Sequence, residues 1–256
     1  VDYQSLRRRI QKPFDKFVAR NVSLFITGSR FAGDRLVKVL KIDPGKAKPI
    51  WNGVAVPNFK QVSPTKVPGE INFPVASFVI GMVAQMVVRK GHKVAIEAIA
   101  HLVSSHSLKN GDIALVLEGT GPLENDLRAL VSKRKLTEFV FFVGEVENPF
   151  DLIDYIDVML LTSVSNEDLP NVISEAMAFG KPIVASDLSG IPEQVIPGKN
   201  GFLCSAGDIE AFSESLNCLR VSPTLRGTFG ERSRSIYQER FTSEVSAAKY
   251  KLEYDS

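Results

Sequence analysis

Two carboxylates flank the start of one predicted helix, in the run Glu167-Asp-Leu-Pro170-Asn-Val-Ile-Ser-Glu175. A proline at the first helical position marks where this helix begins. The free N–H groups and the dipole of a helix start suit a diphosphate, and a carboxylate can accept two hydrogen bonds from a vicinal diol. The segment therefore predicts a nucleotide-sugar site, although the spacing alone equally allows both glutamates to be ordinary surface residues.

The elements that must position this segment alternate between short apolar runs and helical stretches from about residue 75 onward. This alternation predicts a parallel sheet with helices on both faces. Apolar runs typical of strands buried on both faces lie at residues 77–84, 112–118, 138–143, 157–161 and 182–186. Helical spacing occurs at residues 91–105, 122–135, 149–155, 170–180, 208–219, 223–241 and 242–254. The Glu167 segment follows a strand, and ligands in such sheets bind at the carboxyl ends of the strands.

The first 70 residues follow a different pattern. A basic helix at residues 5–19 and one strand at residues 22–27 lead into a stretch rich in Pro and Gly at residues 43–72. We therefore expect an α/β fold, with a Rossmann-like parallel sheet over residues 59–256. Residues 1–58 are expected to form a short remnant of a second domain and its linker.

Composition excludes several function classes for this chain of 256 residues. With 31 Lys and Arg against 29 Asp and Glu, no global field marks it for nucleic acid or an anionic membrane. Cys204 and Cys218 form no CxxC pair, which indicates a reducing compartment, and both are expected to be buried. Without an apolar run of spanning length, the prediction is a cytoplasmic protein, in which any membrane contact would be peripheral and at the inner face.

No metal site is predicted from the histidines. His92, His101 and His106 fall along one predicted helix but do not have the i, i+4 spacing that a metal-binding pair needs.

The run from Glu167 to Asp187, with Ala-Met-Ala-Phe-Gly180-Lys-Pro-Ile-Val-Ala-Ser after Glu175, resembles the signature of family 4 ("group 1") glycosyltransferases. Further pieces agree with that family in order and spacing. These are Ile50-Trp-Asn-Gly-Val54, like its interdomain linker, Lys90-Gly91-His92, Gly119-Thr-Gly121-Pro122, and Val140–Gly144, like the strand beside the base. The resemblance covers roughly residues 24–250.

The resemblance implies the C-terminal half of a GT-B fold and a retaining, metal-independent transfer from a nucleotide diphosphate sugar. A UDP-sugar is the expected donor, and no cofactor is expected. By resemblance, Lys90 and Glu167 are catalytic: Lys90 offsets charge on the leaving diphosphate, and Glu167 contacts the donor sugar. Glu175 holds the ribose. The other implied nucleotide-sugar-binding residues are Gln85, Gly119, Gly144, Val146, Leu169, Pro170, Asn171 and Val172.

The sequence departs from the family pattern at two points. Gln85 stands where the family usually has an Arg that pairs with the diphosphate. Three explanations stay open: Arg89 substitutes, catalysis is weakened, or the alignment slips by one. Most of the family's N-terminal domain is also missing, so the acceptor, a saccharide or a lipid-linked saccharide, is not specified.

Two alternatives to a transferase stay open. One is a nucleotide-sugar-binding module without transfer activity, and the other is a GT-B-like sugar-nucleotide epimerase. A phosphorylase is disfavoured because nothing resembles a pyridoxal-phosphate lysine site.

Overall fold

The computed structural model describes residues 15–57 and 75–255. Its first part holds strand β1 (Phe25–Thr27), helix α1 (Arg30–Leu40) and strand β2 (Ala47–Pro49). Strands β1 and β2 pair in parallel, so these elements form a small βαβ unit. Residues 15–20 are helical, and the rest of the helix predicted at residues 5–19 lies outside the described residues.

This unit corrects the prediction of a single strand in the first part of the chain. Strand β1 occupies only the second half of the run predicted at residues 22–27, and neither α1 nor β2 was predicted. The sequence of β2, Ala-Lys-Pro, has no apolar alternation that would mark a strand. Its pairing with β1 creates the strand, which is a tertiary effect.

The main sheet lies in the second part of the chain. Its strands are β3 (Val79–Val83), β4 (Ala114–Glu118), β5 (Val140–Gly144), β6 (Val158–Leu161), β7 (Ile183–Ser186) and β8 (Gly201–Cys204). All pair in parallel, in the order β5-β4-β3-β6-β7-β8. The described part therefore has six strands in this sheet, not the five predicted, because the short run at residues 201–204 was not counted.

Helices cover both faces of the sheet, which confirms the predicted α/β fold. They are α2 (His92–His106), α3 (Glu124–Lys133), α4 (Pro149–Tyr155), α5 (Asn171–Ala178), α6 (Ile209–Val221), α7 (Pro223–Arg240) and α8 (Ser243–Tyr254). Alternate strand residues point to opposite faces. Ile80 packs with Ile96 and Phe212 on one face, whereas Val79 packs with Leu152 and Ile173 on the other.

Two further sequence predictions can be compared with this fold. Cys204 is buried as predicted, but Cys218 is exposed, because it lies on the outward side of α6. The predicted domain boundary at residues 58 and 59 lies outside the described residues. In the part of the chain that is described, no helix is long and apolar enough to cross a membrane.

The segment from residue 50 to residue 54 ties the βαβ unit to the last two helices. The backbone N–H of Ile50 donates to Thr27 O at 2.9 Å, and that of Val54 donates to Phe241 O at 2.9 Å. The hydroxyl of Tyr237 donates to Val54 O at 2.7 Å. A Cβ at Gly53 would clash with the backbone of Thr242, so only glycine allows this close approach.

We expect Tyr237→Phe to destabilise the protein by about 1–2 kcal/mol, because the buried Val54 carbonyl would lose its hydroxyl partner. Urea unfolding followed by circular dichroism measures this change. The matched control is Tyr254→Phe, since Tyr254 is 80% exposed. Equal unfolding midpoints for the two variants would contradict the prediction.

Candidate functional site

The crevice at the carboxyl end of the sheet lies between strands β3 and β6. These two strands are neighbours, yet the chain leaves β3 toward β4 on one side and β6 toward β7 on the other. Such a reversal of strand order opens a crevice in which ligands bind in doubly wound sheets. The loops that border it here are residues 84–91, after β3, and residues 162–170, after β6.

An ion pair joins these two loops across the crevice. Lys90 Nζ lies 2.5 Å from Glu167 Oε1, and Arg89 NH1 lies 3.2 Å from the same oxygen. Ser163 Oγ also donates to it at 2.8 Å. The Glu167 side chain is only 6% exposed, so these donors compensate for the water that it has lost. The structure thus brings together both residues predicted to be catalytic.

A second set of contacts fixes the backbone under this ion pair. Thr162 Oγ1 donates to Gly91 O at 2.9 Å, and the N–H of Val164 donates to Arg89 O at 2.8 Å. Gly91 has φ of 73°, and a Cβ there would clash with Thr162 O. The glycine after Lys90 is therefore required by both conformation and space.

The predicted residues Gly119, Gly144 and Val146 meet at the ends of β4 and β5. The N–H of Gly119 donates to Gly144 O at 2.7 Å, and the N–H of Val146 donates to Glu118 Oε1 at 3.3 Å. Gly119 has φ of 110°, and a Cβ on it would clash with Ala84 O in the neighbouring loop. Gln85 follows Ala84 and is exposed at the same edge of the sheet.

Helix α5 begins at the crevice with Asn171 as its first residue and Pro170 as its N-cap, so the helix starts one residue later than predicted. No described side chain caps this end. Leu169 and Pro170 are buried, Val172 is half-buried and Asn171 is exposed. The buried Gln194 donates from Nε2 to Pro170 O at 3.1 Å and to Ser174 Oγ at 2.8 Å. Gln194 therefore fixes the helix start from outside and leaves its first N–H groups open.

Glu175 and Glu118 form a carboxylate pair without a described cation beside it. Burial raises the pKa of Glu175, and the nearby Glu118 carboxylate raises it further. Burial also raises the pKa of Glu118, the N–H of Val146 opposes that shift, and Glu145 adds to it. In contrast to Glu167, these carboxylates lie in an environment that disfavours their charged forms.

The histidines contribute no metal centre. Within residues 15–57 and 75–255, no three His, Cys, Asp or Glu side chains lie close enough together to hold a metal ion. Burial lowers the pKa of His92 to about 4, a shift that the Ala84 backbone opposes and the charge of Lys90 reinforces. His92 is therefore a neutral, buried ring at pH 7, and neither of its nitrogens makes a hydrogen bond of normal geometry to a described residue.

Several site residues were not predicted from the sequence. Glu118 could have been predicted as a site residue, because it is a carboxylate at the carboxyl end of a buried strand. Ser163 is likewise a polar residue close to the carboxyl end of a buried strand, β6. Gln194 carries no comparable signal, because its role depends on the fold that brings it under Pro170.

A doubly wound sheet with a charged crevice and an open helix start at its reversal point is an arrangement in which other α/β domains bind nucleotides. Solved structures share this fold. One is the crystal structure of Anabaena Alr3699/HepE in complex with UDP, with a TM-score of 0.80 at 22% identity over 91% of this chain and 64% of that one. Another is sucrose-phosphate synthase (tll1590) from Thermosynechococcus elongatus, with a TM-score of 0.77 at 24% identity over 100% and 63%.

The family model for glycosyl transferases group 1 matches residues 65–236, more than half of the chain. The chain therefore belongs to the group 1 glycosyl transferase family. It is 34% identical over 143 residues to N-acetyl-alpha-D-glucosaminyl L-malate synthase of Bacillus anthracis, which is 56% of this chain and 37% of that protein. It is 26% identical over 207 residues to the O-antigen biosynthesis glycosyltransferase WclY of Escherichia coli, or 81% and 55%. The chain thus spans only 37% to 55% of the length of these two relatives.

We expect Glu175→Gln to stabilise the unliganded protein at neutral pH. A carboxyl whose pKa is raised by folding binds more protons when folded, so its contribution to stability falls as pH rises above its ordinary value of 4.5. The neutral amide of the variant removes that loss of stability, and it also removes the charge repulsion that acts on Glu118. Urea unfolding at pH 4.5 and pH 7.5 should show a gain for the variant that is larger at the higher pH.

The control for this pH experiment is Glu231→Gln, which removes a carboxylate from an exposed position in α7. A gain that does not depend on pH, or one that the control shares, would contradict the assignment of an unfavourable charge to Glu175.

Proposed function

We propose that this chain is the donor-binding domain of a retaining, metal-independent family 4 glycosyltransferase that uses a UDP-sugar. The observation that carries the proposal is one crevice that combines an open helix start, the partly buried cation of Lys90, a carboxylate paired with cations (Glu167) and a carboxylate in an environment that disfavours its charge (Glu175). The group 1 family membership supports it, as does the fold shared with a protein solved in complex with UDP.

The diphosphate would lie at the start of α5, between the N–H groups after Pro170 and the ammonium of Lys90. A helix start stabilises an anion through its unpaired donors and its dipole. The Lys90 side chain is 13% exposed, so its charge is weakly screened by water. In the free protein Lys90 is paired with Glu167, and the arriving diphosphate would share that cation.

The ribose of the nucleotide would lie between the ends of β4 and α5, against Glu175. Burial and Glu118 both disfavour a bare carboxylate there. Two ribose hydroxyl donors would therefore stabilise the ionised form. The base would lie beside Gly144 and Val146, at the end of β5.

The donor sugar would bind at Glu167. Its Oε1 accepts from the side chains of Lys90, Arg89 and Ser163, whereas its Oε2 has no partner within residues 15–57 and 75–255. A carboxylate oxygen that is held in place and has no hydrogen-bond donor beside it is suited to accept a hydrogen bond from a sugar hydroxyl. This difference between the two oxygens supports a role in which Glu167 orients the sugar, rather than a role as a general base.

In the proposed transfer, the bond between the anomeric carbon and the diphosphate oxygen breaks, and the acceptor hydroxyl oxygen bonds to the same face of that carbon. The acceptor proton passes to the departing diphosphate. Lys90 would stabilise the charge that develops on this leaving group, which is a transition-state contribution. The acceptor, a saccharide or a lipid-linked saccharide, belongs to the protein as a whole.

The first test is calorimetry with UDP, UMP and a panel of UDP-sugars. We expect Glu175→Ala to weaken UDP and UMP alike, by roughly ten- to a hundredfold, because both lose a charged hydrogen-bond partner of the ribose. Glu231→Ala is the control and should bind as the parent does. A parent protein without UDP affinity, or equal affinities for parent and Glu175→Ala, would sink the proposal.

The second test concerns the exposed Gln85 and Arg89, which lie in the same loop after β3. If Arg89 supplies the charge that Gln85 lacks, Arg89→Gln should weaken UDP by about tenfold but UMP by much less, because only UDP carries the second phosphate. The reciprocal variant, Gln85→Arg, should tighten UDP and steepen its salt dependence. Loss of UDP and UMP binding to the same extent in Arg89→Gln would exclude this role.

A further inference from the structure

Two carboxylates of the main domain reach across to the start of α1 in the βαβ unit. Glu193 accepts from the backbone N–H groups of Arg30 and Phe31 through its two oxygens, each at 3.0 Å, and from Trp51 Nε1 at 2.7 Å. Asp168 accepts from the hydroxyl of Ser29, the N-cap residue. We name these contacts of Glu193 and Asp168 the α1 clamp.

The α1 clamp supplies what the helix itself lacks. The first turn of α1 has no acidic residue and begins with Arg30. A helix start is stabilised by negative charge and by acceptors for its first N–H groups. Ser29 itself accepts from the N–H of Ala32 at 3.0 Å. The acceptors for the N–H groups of Arg30 and Phe31, and the negative charge, come from residues more than 130 positions further along the chain. The start of α1 is therefore fully satisfied only when the helix packs on the main domain.

The α1 clamp is joined directly to the loop that carries Glu167. Asp168 is the next residue, and its carbonyl oxygen packs against Gly190, where any Cβ would clash with it. Asn166 and Ser189 have φ of 52° and 55°, an unfavourable region for residues with a side chain. Loops held in such conformations need neighbours that fix them, and the clamp lies against both.

The same elements line an open pocket of about 370 Å³ beside Glu167, the carboxylate to which the donor sugar is assigned. Phe31, Arg35 and Leu36 of α1 line one side, and Glu167 and Asp168 line the other. A shift of α1 would therefore change both the width of this pocket and the support of Asp168.

We propose that Asp168 and Glu193 are positioning residues, through which the seating of α1 sets the conformation of the Glu167 loop and with it the affinity for the donor sugar. This inference rests on the proposed function, because it assigns the sugar to Glu167. The proposed nucleotide contacts lie elsewhere, Glu175 more than a turn inside helix α5 and Gly144 at the end of β5, and neither residue touches the clamp. We therefore expect the clamp to act on the sugar much more than on the nucleotide.

The coupling is tested first without ligand, by amide hydrogen exchange in Ser29→Ala, Asp168→Ala and Glu193→Ala. We expect faster exchange in residues 163–169 for the Ser29 and Glu193 variants, although neither change lies in that loop. Glu231→Ala is the control for removal of a carboxylate, and circular dichroism shows whether each variant folds. Faster exchange confined to α1, with the loop unchanged, would overturn the proposal.

The fluorescence of Trp51 provides a second measurement of the clamp, because Trp51 is the only tryptophan in the chain. Its indole N–H is bound to Glu193, so Glu193→Ala should shift its emission to longer wavelength and increase quenching by acrylamide. Ser29→Ala and Asp168→Ala should each shift the emission in the same direction. The shift in the double variant should be smaller than the sum of the two single shifts. Purely additive shifts would mean that the two residues do not act through their bond.

The ligand test compares UDP with UDP-glucose by calorimetry. We expect the clamp variants to weaken UDP-glucose by roughly three- to tenfold and to change UDP less than twofold. Equal losses for the two ligands would overturn the positioning role. If the parent protein binds neither UDP nor any UDP-sugar, the proposed function fails instead, and hydrogen exchange alone decides whether α1 and the Glu167 loop are coupled.

Discussion

The buried carboxylate of Glu167 constrains the rest of the site. A carboxylate that is almost fully removed from water needs donors close to it, and breaking such an arrangement costs several kcal/mol. Lys90, Arg89 and Ser163 supply them, and each lies in the loop that follows β3 or β6. The packing of those two strands is thereby linked to the chemistry, because any shift between them would separate the charges.

Two electrostatic regimes meet in the crevice. Around Glu167 the charges are compensated, and the oxygen that faces three donors is fixed in place. Around Glu118 and Glu175 burial disfavours the charged form, so the free protein holds an unfavourable arrangement there. A functional site that lowers the stability of its own fold is a common compromise, because the same groups become favourable when a ligand supplies the missing partners.

The βαβ unit is joined to the main domain through polar contacts around a single aromatic side chain. Trp51 packs against Phe241, with the ring centroids 5.5 Å apart, and its indole N–H binds Glu193. The cations of Arg30, Arg240 and Lys249 lie within 6 Å of its ring. A polar interface of this kind can open and close at a smaller cost than an apolar one, which suits elements that border a ligand cleft.

The sequence by itself determined the α/β class, the strand that precedes Glu167 and the helix that carries Glu175. Those features rest on local pattern: continuous apolar runs, helical spacing, and a proline at a helix start. It also named Lys90 and Glu167 together, through a resemblance rather than through spacing. The short strands β2 and β8 were missed, because neither contains the β-branched residues that mark the equally short strands β6 and β7.

Only the tertiary structure decided which distant residues meet. The approach of Glu118 to Glu175, of Gln194 to Pro170 and of Glu193 to the start of α1 joins positions that are 24 to 163 residues apart. No local pattern encodes such a contact, because the side chains satisfy one another only after the strands have been ordered in the sheet. The fold class is a property of local hydrophobic periodicity, whereas the electrostatics of the site depend on strand order and burial.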